Sequence, residues 1–195
     1  MKDKAIKYLS KNPLLHMDMM EAIRRNSADL LYADIDGVLI REQNSDAYMI
    51  TVNDVELGCN LINTISESNL FVAHQENMVE LISNKFNLKG KMECFQVVYE
   101  QEHMLEVSDE ISIRALDLEH IDVILEHYKK LPYSEVKELL EKGTMFGGYK
   151  SYMVNRMLQK GQIPFAQIEV NNKASLELQK KLGFCVSEDR VFWLF

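Results

Sequence analysis

Ala166, Ile168 and Val170 alternate with Gln167 and Glu169, the period-two pattern of a strand with one buried face. Directly after it, Ala174, Leu178 and Leu182 recur at i, i+4 and i+8, which predicts a helix with one stripe facing a core. Asn172 stands where that helix needs a side chain to accept from its free first-turn amides, and Gly183 where it would end in the left-handed region. The apolar run Val191 to Phe195 predicts a closing strand. Nearer the start, residues 2–24 read as two short helices broken at Asn12-Pro13, with Leu14, Met17 and Met20 as a helical stripe. Two apolar runs flank Asp36-Gly37, a hairpin signal because both positions of a two-residue turn favour positive φ. Tyr48–Val52, Leu70–Ala73 and Cys94–Tyr99 read as strands, with helices over Asn53–Thr64 and Gln75–Phe86 between them. Strands and helices alternate, so this half is expected to be α/β.

The stretch from Glu100 to Glu110 is charged and carries no apolar period, which places a domain boundary there. The expectation is an α/β supporting domain over residues 1–105 and a second domain over 106–195. The second opens with a strand at Ile111–Leu116 and a helix from Asp117, with Leu118, Ile121, Ile124, Leu125 and Tyr128 on its apolar face. A helix from Ser134 to Lys142 turns Val136, Leu139 and Leu140 inward, Gly143 stops it, and Thr144–Tyr149 reads as the next strand. Lys150 to Lys160 reads as a helix with Val154, Met157 and Leu158 inward.

Composition narrows the classes of function. Lys plus Arg number 22 and Asp plus Glu 30, a formal charge of −8, so there is no basic footprint for nucleic acid or an anionic membrane. That balance leaves cationic amines open as substrates. Cys59, Cys94 and Cys185 are odd in number and lack C-x-x-C spacing, which predicts reduced thiols in a cytoplasmic protein rather than a disulfide framework or a zinc site. His120 and His127 lie two helical turns apart, too far to chelate one ion, and no metal is expected. Met1-Lys2-Asp3-Lys4 lacks the apolar run of a signal peptide, and no uncharged stretch approaches the ~20 residues of a membrane span. Asp34-Ile35-Asp36-Gly37 resembles the D-x-D-G nucleophile motif of the haloacid dehalogenase superfamily. That chemistry needs a downstream lysine and acidic residues on a later strand to hold magnesium, and the sequence does not supply them in such a setting, so the hairpin is the expected reading.

Strand, Asn-capped helix, Gly-Phe and strand, in that order, also resemble the closing unit of the GNAT N-acyltransferase superfamily. The resemblance lies in Asn172-x-x-Ser175-x-x-Leu178-x-x-x-Leu182-Gly183-Phe184, within a closing unit that makes up about a sixth of the chain. It implies a mixed central sheet flanked by helices, of the α/β (α+β) class, and transfer of an acyl group from acetyl-coenzyme A to a primary amine on a small molecule or peptide. It also implies that Asn172 contacts the pantetheine arm and that Ser175 lies near the cofactor. Whether the chain pairs with a second copy is left open. The family's bulged strand with its glutamate, and its Gly-rich pyrophosphate loop, would fall between Tyr149 and Lys150, where this sequence runs directly on. Loss of two central strands would leave unpaired apolar edges. That predicts a segment missing there, with Tyr149 and Lys150 farther apart than the ~3.8 Å of consecutive Cα atoms. Many family members place a Tyr after the helix Leu to protonate the departing thiolate; this chain has Gln179, which cannot act as an acid. No catalytic side chain is assigned from the sequence. A GNAT-like binding or regulatory module without catalysis is the alternative.

Overall fold

The computed structural model describes residues 1–106, 114–127, 132–141, 146–147 and 150–195. Helices α1 (Lys2–Leu9) and α2 (Met17–Arg24) lead into an antiparallel meander of β1 (Ala28–Asp34), β2 (Gly37–Glu42) and β3 (Tyr48–Val52). Helix α3 (Val55–Asn63) then crosses over to β4 (Phe71–Ala73), which runs parallel to β3. A 3-10 turn (Glu76–Met78), α4 (Val79–Phe86) and β5 (Lys91–Val98) follow. Near the end of the chain come β8 (Phe165–Glu169), α8 (Lys173–Lys181) and β9 (Cys185–Leu194). Among the described residues seven strands form one mixed sheet in the order β1-β2-β3-β4-β9-β5-β8.

Alternating side chains of this sheet enter two cores. On one face Val38, Ile40, Met49, Val72, Cys94 and Val191 pack with Ala5, Leu9 and Met19 of the first two helices. On the other, Leu39, Ile50, Phe71, Ala73, Phe192 and Leu194 pack with Leu61, Ile62 and Ile82 of α3 and α4. The expected mixed sheet flanked by helices is therefore present.

The expected division at residue 105 is corrected. One compact unit comprises residues 1–102 together with 161–195, and the other residues 103–160. Strand β9 lies between β4 and β5 and is antiparallel to both, so the closing elements complete the first unit's sheet. The reason is burial: Phe71, Val72 and Ala73 of β4 are each 0 % exposed, and an edge strand could not be. The alternating apolar residues of β9 supply the missing neighbour.

The second unit has its own small core. Asp117 caps the turn Leu118–His120 ahead of α5 (Ile121–His127), and Ile121 and Ile124 pack against Val136 and Leu140 of α6 (Tyr133–Glu141). Two-residue strands β6 (Arg114–Ala115) and β7 (Phe146–Gly147) pair, and α7 (Lys150–Gln159) carries Asn155, whose carboxamide bonds both backbone groups of Leu105. Tyr149 and most of the strands predicted at 111–116 and 144–149 lie outside the described residues, and with them the spacing of Tyr149 from Lys150.

Two local expectations also change. The hairpin forms, but its turn is Ile35-Asp36, with Asp34 paired to Gly37. Gly37 has no positive φ; a Cβ there would lie 2.8 Å from Val52 Cγ1 and 3.0 Å from the Thr51 carbonyl, so glycine is required by the approach of β3. Helix α8 turns Leu176 and Gln179 inward, while Leu178 is 45 % exposed and Ala174 is exposed as well. The turn through Val170-Asn171 sets that rotation, and the apolar stripe Ala174-Leu178 faces outward.

Candidate functional site

Open α/β sheets gather ligands at the carboxyl ends of parallel strands, and here β3 and β4 are the parallel pair among the described residues. Their ladder runs through His74 N–H to the Ile50 carbonyl at 3.1 Å and then stops. Val52, whose N–H and C=O face β4, is met instead by the Gln75 side chain. Its Oε1 accepts from Val52 N–H at 2.9 Å, and its Nε2 donates to the Val52 carbonyl. One carboxamide thus takes the place of a strand's peptide group. Beyond this point a cavity of about 720 Å³ opens, walled by Tyr8, His16, Thr51, Asn53, His74 and Gln75. Its rim carries the exposed Glu76, Glu188 and Asp189, together with Arg190, which is paired to Glu93 at 2.9 Å.

Two buried histidines stand in the wall, their rings 5.5 Å apart. His16 Nδ1 lies 3.1 Å from the Leu9 carbonyl, which requires a proton on Nδ1 and leaves Nε2 to accept from the Thr51 hydroxyl at 3.1 Å. Burial, and then the charge of His74, push His16 down to about 4, so it is neutral near pH 7. His74 Nδ1 faces the Ile50 carbonyl and Nε2 faces Asp18, at 2.9 and 3.1 Å from its two oxygens. Both His74 nitrogens are thus engaged inside the wall, Nδ1 at the Ile50 carbonyl and Nε2 at the carboxylate, and neither is turned to the cavity.

Asp18 continues the chain. Gln167 of β8 donates to it at 2.9 Å and accepts from Trp193 Nε1 of β9 at 2.6 Å. Asp18, Gln167 and Trp193 line a second cavity of about 430 Å³, where Arg25 lies over the Phe165 ring and pairs with Glu21. One network therefore ties α2, the end of β4, β8 and β9 across the sheet. Sequence reasoning did not find it. Its members are up to 175 positions apart (193 − 18), and the signal was faint: Asp18 sits among Met17, Met19 and Met20, in a helix stripe that should be apolar.

The residues singled out from the sequence stand elsewhere. Asn172 caps α8, its Oδ1 accepting from Ser175 N–H at 3.1 Å, and the side chain is exposed. Neither Asn172 nor Ser175 lines the two cavities above. Gln179 is buried, with Oε1 unpaired among the described residues. Asp36 accepts from the Tyr32 hydroxyl at 2.7 Å, which helps push that phenol up to about 12, and Asp34 pairs with Lys4 at 2.7 Å. Asp36 thus bonds within the hairpin, and Asp34 ties the hairpin to α1. Among the described residues no group of three or more His, Cys, Asp or Glu side chains is placed to hold a metal ion. No helix among them is long and apolar enough to cross a membrane.

No protein-family model matches the chain, and no curated protein does. Among solved structures, the crystal structure of a Drosophila protein, a Northeast Structural Genomics Consortium target, is similar with a TM-score of 0.56 at 10 % identity. The similarity covers 100 % of this chain and 87 % of that one, and it is a similarity of fold.

Proposed function

We propose that the chain is a GNAT-type N-acyltransferase that moves an acetyl group from acetyl-coenzyme A to a primary amine. The observation that carries this reading is the closing unit. Strand β8, a helix capped by Asn172 and ended at Gly183 (φ +85°), and strand β9 follow one another within a mixed sheet flanked by helices. In this reading the exposed Asn172 carboxamide donates its N–H to a carbonyl of the pantetheine arm, its Oδ1 being held by the Ser175 amide. That carboxamide is the group this reading assigns to the arm. For the pyrophosphate the sequence has no Gly-rich loop, and α3, which follows β3, already holds Asp54 as its cap and Glu56 in its first turn. The reaction joins the amine nitrogen to the thioester carbonyl carbon, expels the thiolate and releases the amine proton. No side chain of this chain is assigned to take that proton.

A second reading, a GNAT-like binding or regulatory module without catalysis, is favoured by Gln179. It is buried where many family members place the tyrosine that protonates the thiolate, and a carboxamide cannot do so. Calorimetric titration with acetyl-coenzyme A, paired with a thiol-release assay over a panel of amines, separates the two. Binding with thiol release supports acyl transfer, binding without release supports the module, and absence of binding sinks both. Asn172→Ala is expected to weaken acetyl-coenzyme A binding by more than the ~1 kcal/mol that a lost cap costs the fold. Unchanged affinity with a lowered melting temperature would leave Asn172 as a cap alone.

A further inference from the structure

The pairing of Gln75 with Val52 records what the end of β3 is built to hold. A backbone N–H and C=O that face a neighbouring strand are normally met by that strand's peptide groups. At Val52 the ladder has ended, and a side-chain amide, the chemical equivalent of one peptide group, meets both. Past Val52 the strands part and the cavity opens, so a further extended chain could continue the ladder where Gln75 now stands alone. The rim above it carries Glu76, Glu188 and Asp189 against Arg190, whose guanidinium is engaged by Glu93. His16 in the wall contributes no positive charge near neutral pH.

We propose that this cavity binds an extended segment of a basic polypeptide, its backbone pairing with Val52 in place of Gln75 and its lysine or arginine side chains meeting Glu188, Asp189 and Glu76. The main chain gives the register, as in strand addition to a sheet, and the rim gives the preference for positive charge. Gln75 is then an internal competitor that keeps Val52 satisfied when the cavity is empty. The inference stands on the first unit alone and does not rest on the acyl-transfer reading.

The test is fluorescence anisotropy on the full chain with a labelled peptide of alternating lysine and threonine. Three further peptides serve as controls: one N-methylated along one edge of its backbone, one methylated along the other, and one with glutamate for lysine. The unmethylated basic peptide is expected to bind, and to bind about fivefold more weakly as salt rises from about 50 to about 300 mM. One of the methylated peptides should lose binding, and the glutamate peptide should not bind. Glu188→Gln with Asp189→Asn should weaken the complex, because both carboxylates are exposed and outside the core. Gln75→Ala should tighten it by removing the competitor. Gln75→Asn, too short by one methylene to reach Val52, should do the same if the alanine variant fails to fold. Equal binding of the basic and both methylated peptides, equal binding of basic and acidic peptides, or no binding to the wild type and either Gln75 variant would overturn the proposal. Acetyl-coenzyme A titration of the same samples reports separately on acyl transfer.

Discussion

His16 is buried and neutral, and that has a measurable consequence. Its value falls from 6.5 to about 4 on folding, so above pH 6.5 both folded and unfolded chains carry it neutral and it does not tilt the balance. As pH falls through 6.5 the unfolded chain takes a proton that the folded chain refuses, and stability is lost until the folded value is reached. The shift corresponds to about 3 kcal/mol across that window. Urea unfolding of the wild type and His16→Leu between pH 7 and 4 should show a steeper loss for the wild type; parallel curves would mean that His16 is protonated in the fold. Gln167 offers a second test at this scale. It satisfies Asp18 with one end and Trp193 with the other. Gln167→Leu strands the half-buried Trp193 N–H and takes one hydrogen bond from Asp18, which keeps His74, so an expected loss of about 1–3 kcal/mol follows from the one stranded partner. Denaturant unfolding followed by Trp193 fluorescence measures it, and a loss below about 0.5 kcal/mol would show that water replaces the amide without penalty.

At the scale of elements, period and punctuation made most of the first unit legible. The break at Asn12-Pro13, the strand at Tyr48–Val52, the helices over Val55–Asn63 and Val79–Phe86 and the cap at Asn172 all follow from local chemistry that a sequence displays directly. The rotation of α8 did not follow. Ala174-Leu178-Leu182 and the row through Leu176 and Gln179 are both helical stripes, and the turn before the helix, not its composition, decides which is buried. Asp-Gly is a strong turn signal and marks Gly37 as a turn residue; the contact that needs the glycine is with Val52 and Thr51 on the neighbouring strand. Gly37→Ala is therefore expected to destabilise by about 1–3 kcal/mol through crowding between strands rather than through φ. Thermal unfolding checks this, and a gain in stability, the usual result of replacing a flexible glycine at an unstrained φ, would show that β3 yields without cost. The histidine network was illegible for a different reason: its members are joined by strand order, and strand order is a property of the whole chain.

For the whole molecule, the insertion of β9 between β4 and β5 decides what can fold alone. Read along the sequence, residues 1–105 look self-sufficient, with helices on both sides of five strands and a charged linker after them. In the fold those strands are two groups, β1 to β4 and β5, and among the described residues the strand that joins them is β9. Without it, Phe71, Val72 and Ala73 become an apolar edge, and Val191, Phe192 and Leu194 are lost from the two cores. Burying a side chain of that kind contributes about 1.5–3 kcal/mol, so removing three approaches the 5–15 kcal/mol that stabilises a typical domain. A fragment of residues 1–105 is expected to lack a cooperative transition in circular dichroism and to aggregate through the β4 edge. Residues 161–195, joined to residues 1–102 through a flexible linker in place of residues 103–160, should restore the transition. Cooperative unfolding of 1–105 alone, at a melting temperature close to that of the intact chain, would overturn the shared sheet and return the boundary to where the charged linker suggests it.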